Sequence, residues 1–269
     1  MDRMNRPDLS SIFGLIGHPL GHSFSAAYFG RKFANEGLQG FSYLNFDLPE
    51  LEAGIPALKA DARCRGFNVT VPYKQEIIRF LDALSPDAAQ IGAVNTVKVE
   101  KDGRWTGYNT DHIGFYDSLL RFMPEDLQTP ALVLGNGGAS QAVQYALHRH
   151  GREYFLLCRN PRQESGKEFR PQKTFSYSGI TPQVVEECRL IINTTRLGMF
   201  PEVDSCPEIP YRADCGLPFC HDMIFSHTIS NKRFLVSYAD QAVCGVIIQF
   251  FAVFNGVLGD IGSLSSTSR

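Results

Sequence analysis

No C-x-x-C pair, no block of like charges and no unbroken apolar stretch of membrane-spanning length occurs in this chain, and each absence removes a class of function. The seven cysteines are odd in number and scattered, which argues for reduced, buried thiols against a disulfide framework or a zinc site. A net charge of -2 without basic or acidic runs leaves no nucleic-acid groove, polybasic membrane anchor or acidic tail. The oiliest stretch, residues 243–258, is interrupted by Gln249 and Asn255, and the polar opening Met1-Asp2-Arg3-Met4-Asn5-Arg6 has no apolar export core. A cytoplasmic protein acting on small neutral-to-anionic ligands is the expectation. With 269 residues, 43% of them hydrophobic, the chain suits two modest domains.

What is present centres on Gly66-Phe67-Asn68-Val69-Thr70-Val71-Pro72-Tyr73-Lys74. Val69 and Val71 alternate with Asn68 and Thr70, which predicts a strand with one apolar face and one offering an amide and a hydroxyl to a polar ligand. Pro72 ends the ladder, and a helix is predicted over 74–84, with Ile77, Ile78, Leu81 and Leu84 at helical spacing. Lys74 would then point into a cleft, although a lysine after a turn is, taken alone, more often simply solvated.

Around this stretch the pattern alternates strand and helix. Strands are predicted over 11–17, 41–46 and 66–70, and helices from Ser25 and over 50–60, which makes an α/β layer. Ser25 reads as the helix N-cap; with Ser23 it places two hydroxyls beside unpaired helix N–H groups, which fits simple capping or a carboxylate seat. His18 and His22 lack a third ligand nearby and read as loop residues. Residues 93–99 and 104–108, joined by Lys101-Asp102-Gly103, predict a hairpin that leads into Asn109-Thr110-Asp111 and another helix.

A hinge is predicted over 123–130, where two prolines and two acids gather. Beyond it, the strand 131–134, the turn Gly135-Asn136-Gly137-Gly138-Ala139-Ser140 and the helix 141–150 predict a dinucleotide site, with pyrophosphate received by helix N–H groups. Ser140 stands at the third glycine position, so a plain strand-to-helix turn explains the motif as well. The strand 154–158 ends at Arg159 and Asn160, where an NAD site would carry an acid; a guanidinium there suits a 2′-phosphate and favours NADP. Residues 190–193 and 222–225 read as further strands.

In this order, Asn95 in Gly-Ala-Val-Asn-Thr, Asp111 in Gly-Tyr-Asn-Thr-Asp-His-Ile-Gly and the glycine turn at Gly135 resemble the shikimate dehydrogenase family, over roughly 12–259. The resemblance implies an α/β protein of two domains. A substrate domain would span 11–122 plus about 242–262, where the last helix returns to it, and a Rossmann-like NADP domain would span 123–241. It implies reversible reduction of 3-dehydroshikimate to shikimate, in chorismate and aromatic amino acid biosynthesis, by a monomer or homodimer without nucleic-acid or membrane partners. Lys74 and Asp111 would be catalytic, and Ser23 and Ser25 would hold the substrate carboxylate. Asn68, Thr70, Asn95 and Gln249 would bind or support the ring hydroxyls, with Gln241 the fallback for Gln249. Gly135, Asn136, Gly137, Gly138, Ala139, Arg159, Thr194, Met199 and Phe225 would bind the cofactor. Because a lysine ordinarily holds its proton at neutral pH, Lys74 is expected to donate during ketone reduction.

The chain departs from the family pattern in several places. Ala26, Phe29 and Gly30 replace a proline and a His-Asn pair, Cys158-Arg159-Asn160 replaces Asn-Arg-Thr, His227 replaces a proline, and Cys244-Gly245 replaces a Gly-Met segment. Phe225 lacks the phenolic hydroxyl of the usual tyrosine, a loss expected to weaken substrate binding by about 0.5 to 1.5 kcal/mol. These departures keep two alternatives open: an NAD-dependent quinate/shikimate dehydrogenase and a non-catalytic ligand-binding relative.

Overall fold

The computed structural model describes residues 11–21, 23–122, 128–161, 168–188, 190–198, 204–210, 219–222 and 235–237. The chain forms two compact units divided between Asn109 and Thr110. Most of the predicted hinge (123–127), and the predicted returning helix and tail (242–269), lie outside the described residues.

The first unit is built on β1 (Ser11–Gly17), α1 (Ser25–Asn35), β2 (Phe41–Asp47), α2 (Leu51–Ala60) and β3 (Cys64–Val69). A short β4 (Ala83–Leu84), α3 (Pro86–Ile91) and the hairpin β5 (Thr96–Val99) and β6 (Trp105–Tyr108) complete it. Its sheet has the order β2-β1-β3-β5-β6-β4. β1 is parallel to both β2 and β3, while β5 runs antiparallel to β3 and β6. Every residue of β1 is buried, so the strand needs apolar side chains on both faces. Phe13 packs with Phe33 of α1 and Phe41, and Ile16 joins Leu51 and Ile55 of α2, Phe67 and Trp105 in the core.

The predicted helix over 74–84 is not formed. The Lys74 carbonyl, which would accept from residue 78 in a helix, accepts instead from the Val94 N–H at 2.7 Å. Only a short 3-10 helix, Glu76–Phe80, follows. Asp82 then pairs with Trp105, its N–H donating to the Trp105 carbonyl and its carboxylate accepting from the Trp105 N–H, which draws the chain into β4. Helical spacing was the wrong reading here because the apolar residues face a sheet edge that competes for the same backbone groups. α3 was not anticipated; Ser85 caps it by accepting from the Ala88 N–H.

The second unit comprises α4 (Asp111–Phe122), β7 (Ala131–Leu134), α5 (Gly138–Arg149), β8 (Tyr154–Leu157), β9 (Lys173–Phe175), α6 (Pro182–Glu187), β10 (Leu190–Asn193), β11 (Phe219–Asp222) and β12 (Leu235–Ser237). All strand pairs in it are parallel, in the order β12-β11-β10-β7-β8-β9. Alternate residues of β7 serve opposite faces. Ala131 and Val133 meet Phe115 and Leu119 of α4 and Val143 and Leu147 of α5, whereas Leu132 and Leu134 meet Val185 of α6. Burial on both faces explains why β7, β8 and β10 read as continuous apolar runs. β11 ends at Asp222, where the sequence predicts a strand beginning; 223–225 lie outside the described residues.

Of the seven cysteines, Cys64, Cys158 and Cys188 are buried thiols and Cys206 is an exposed one, none of these four in a disulfide. Burial pushes the Cys64 thiol up to about 11 and the Cys188 thiol up to about 12, which leaves both protonated and inert at neutral pH.

Candidate active site

In the first unit the chain runs β1, α1, β2 on one side of β1, then crosses through α2 to β3 on the other. Ligands gather at such a switch point, beyond the carboxyl ends of the strands. The Ser23–Ser25 loop leaves β1 there, and Thr70 follows β3 with its N–H on the Ile16 carbonyl. Gly17 makes this approach possible, since a Cβ on it would stand 2.4 Å from Thr70 Cγ2.

Ser25 is not the N-cap: it is the first residue of α1, Phe24 holds the cap position in helical conformation, and the Ser23 hydroxyl accepts from the Ser25 N–H at 3.4 Å. The Ser25 side chain lies beside the Tyr43 phenol. That phenol donates to Asn68 Oδ1 at 2.7 Å. Asn68 Nδ2 donates in turn to the Asn95 carbonyl and to Thr96 Oγ1, and the Thr96 hydroxyl donates to Asn95 Oδ1. Asn68 and Asn95 are thus stitched into one wall, with Ser25 beside it, by two residues, Tyr43 and Thr96, that sequence reasoning missed. Burial drives the Tyr43 phenol far above its ordinary value, against a smaller opposing effect of Ser25, so it remains a donor. Phe29, standing where the family pattern has a polar residue, stacks on this ring at 4.4 Å. Tyr43→Phe should keep the stack and leave Asn68 Oδ1 unsatisfied. The expected result is a loss of about 1 to 3 kcal/mol in stability, by denaturant unfolding.

The serine loop is held from outside as well. Asp47, at the end of β2, accepts from the Leu20 N–H at 3.1 Å and pairs with His18 Nδ1 at 2.6 Å. The Leu20 N–H, and then His18, hold the Asp47 carboxyl below the usual carboxylate value. A carboxyl depressed by folding stabilises above its unfolded value and loses that contribution as pH falls through the folded one. Asp47→Asn should therefore lower Tm at neutral pH, with the gap closing below about pH 4; an equal gap at pH 7 and pH 2.5 would mean that the charge is not what holds the loop.

Lys74 is half-buried, between the buried Tyr73 and the backbone bond to Val94. The Tyr73 hydroxyl reaches the Leu48 and Pro49 carbonyls, which fixes the turn that carries Lys74. Asp111 opens α4 in the second unit and is buried. His112 beside it packs edge-on against Tyr145.

The elements predicted to bind the nucleotide come together in the second unit, at the switch point between β7 and β10. Gly135 follows β7 with φ +103°, and a Cβ on it would lie 2.9 Å from Thr194 Oγ1. Thr194 follows β10, and both its N–H and its hydroxyl donate to the Leu134 carbonyl. Ser140 is fully buried; its hydroxyl donates to the Gly135 carbonyl at 2.6 Å and accepts from Gln144, which staples the turn to α5. A third glycine is therefore not required, and Asn136 is held by Gln141 at 2.8 Å. Gly137, in extended backbone, precedes Gly138 and Ala139, no side chain caps α5, and the space where a Gly137 Cβ would stand is open. A pyrophosphate fits such a cradle. Asn193, likewise missed as a support, holds the loop after β10 by accepting from Thr195 and donating to the Leu197 carbonyl. Arg159 is exposed after β8. Met199, Phe225 and Gln249 lie outside the described residues. Among the described residues no His, Cys, Asp and Glu group could hold a metal ion, and no helix is long and apolar enough to cross a membrane.

A parallel sheet in this order, with an uncapped glycine turn at its switch point, defines a dinucleotide-binding α/β protein. A family model described as the shikimate dehydrogenase substrate binding domain matches residues 15–97. The shikimate dehydrogenase (NADP(+)) of Caldanaerobacter subterraneus subsp. tengcongensis is 38% identical over 228 residues, 81% of this chain and 79% of the relative. The crystal structure of shikimate dehydrogenase from Aquifex aeolicus is 34% identical with a TM-score of 0.75, over 92% of this chain and 93% of that one. The Thermus thermophilus enzyme, solved in complex with NADP(H) and shikimate, is 34% identical with a TM-score of 0.68, over 86% of this chain and 84% of that one. The chain belongs to the shikimate dehydrogenase family.

Proposed function

We propose that this protein is an NADP-dependent oxidoreductase that reversibly reduces 3-dehydroshikimate to shikimate, in the biosynthesis of chorismate and the aromatic amino acids. The observation that carries the reading is the likeness, across both units, to a relative solved with NADP(H) and shikimate together. In the same reading it is a cytoplasmic monomer or homodimer with small-molecule partners and no nucleic acid or membrane. The substrate domain comprises 11–122 plus about 242–262, and the nucleotide domain 123–241.

Ser23 and Ser25 bind the substrate carboxylate; Thr70, Asn95 and Gln249 bind its ring hydroxyls, and Asn68 braces them from the wall. Gly135, Asn136, Gly137, Gly138 and Ala139 receive the pyrophosphate, Arg159 the 2′-phosphate, and Thr194, Met199 and Phe225 flank the nicotinamide. Bound NADPH supplies the hydride. Lys74 gives its ammonium proton to the ring oxygen as the ketone becomes an alcohol, and Asp111 is the acid that the family pairs with this lysine; both act by position and charge.

Purified protein mixed with shikimate and NADP should generate reduced nicotinamide, followed by absorbance. Reduction only with quinate and NAD would replace this reading with the quinate one. Nucleotide binding without turnover on any pair would make the protein a ligand-binding relative.

A further inference from the structure

Arg159 is the lone charged residue of its segment Cys158-Arg159-Asn160, and Cys158 cannot help it, being buried in the core between the sheet and its helices. The next strand brings other donors to the same place. β8 and β9 are parallel with Leu157 opposite Phe175, and the Cys158 N–H donates to the Phe175 carbonyl at 3.0 Å. Ser176 therefore leaves β9 level with Cys158, and Arg159 stands one residue further on, level with Tyr177, which Ser176 and Ser178 flank.

Ser176-Tyr177-Ser178-Gly179 is a closed turn, with the Gly179 N–H on the Ser176 carbonyl and the Ser176 and Ser178 hydroxyls 3.0 Å apart. Tyr177 packs against the core that contains Phe155 and Val185, which anchors the turn to the sheet. Burial pushes the Tyr177 phenol up, and the Arg159 guanidinium offsets part of that rise, consistent with their proximity.

We propose that Ser176 and Ser178 are specificity-determining residues, whose hydroxyls complete with Arg159 a seat for the 2′-phosphate of NADP. A guanidinium alone presents donors from one side of a phosphate; two hydroxyls on the adjoining turn supply a second side without another charge. The pair stands in for the polar residue that the family pattern places before the arginine, where this chain has Cys158. The inference rests on the NADP reading above.

Isothermal titration of the full chain with 2′,5′-ADP and with ADP tests it without turnover. Wild type should bind 2′,5′-ADP at least about tenfold more tightly than ADP, and the double variant Ser176→Ala/Ser178→Ala should lose about tenfold on 2′,5′-ADP alone. ADP affinity and Tm should stay at wild-type values, and Arg159→Ala should abolish the discrimination. A double variant that still prefers 2′,5′-ADP as wild type does, or that weakens both ligands equally, overturns the proposal while the NADP reading stands. Wild type binding both ligands alike, or neither, removes the NADP reading and this inference with it.

Discussion

Lys74→Ala is expected to lower kcat by about two to four orders of magnitude while KM for shikimate changes by a few-fold at most, the range associated with losing a positioned acid. The backbone argues for this split. The turn that carries Lys74 is held by the Tyr73 hydroxyl on two carbonyls and by the Val94 N–H on the Lys74 carbonyl, none of which involves the lysine side chain. Truncation should therefore leave the wall formed by Tyr43, Asn68, Thr96 and Asn95 in place. Lys74→Arg separates charge from proton: a guanidinium keeps the positive charge but does not give up a proton, so binding should survive and turnover should not. Steady-state kinetics in both directions measure each quantity. Equal losses in kcat and affinity, or no loss, would take the lysine out of the chemistry.

Sequence was most informative where one physical demand acted alone. β1, β7 and β10 have the predicted bounds because burial on both faces requires unbroken apolar runs. Gly135 was legible because few residue types tolerate its backbone, whereas α5 begins at Gly138, three residues before the predicted start. Reading failed where distant groups compete. The helix expected at Lys74 gives way because Val94, Trp105 and the β6 edge take its backbone groups and its apolar side chains, and no local pattern announces a partner some twenty residues away. Ser25 was identified as a polar residue at a helix start, but it is the first residue of α1 and not its cap, and it lies beside a phenol on β2. Tyr43 and Thr96 went unremarked for a related reason: each sits in a strand where its apolar or β-branched body already accounts for it, and only the assembled sheet aims its hydroxyl at an asparagine.

Gly135→Val and Gly137→Ala should divide folding from nucleotide binding. At Gly135 the backbone has φ +103°, which side-chain-bearing residues rarely adopt, and a Cβ would press to within 2.9 Å of Thr194 Oγ1 and 3.1 Å of Thr195 Cγ2. Valine must either displace the loop after β10, breaking the bond from the Thr194 hydroxyl to the Leu134 carbonyl, or unwind the turn from which Ser140 staples α5. Backbone strain alone is worth about 1 to 2 kcal/mol, and with the clash the expected loss is about 3 kcal/mol or more, together with NADP binding. Gly137 differs in both respects. Its φ of -89° is ordinary for any residue, and its missing Cβ faces open space. Gly137→Ala should therefore fold with an unchanged Tm, and its methyl would occupy the approach proposed for the pyrophosphate, weakening NADP about tenfold or more while leaving the KM for shikimate alone. Titration with NADP beside thermal unfolding reads both variants. Were Gly137→Ala to bind NADP as wild type does, the dinucleotide would have to lie elsewhere than against the start of α5, and the open space beside Gly137 would be no more than a tight turn's surface.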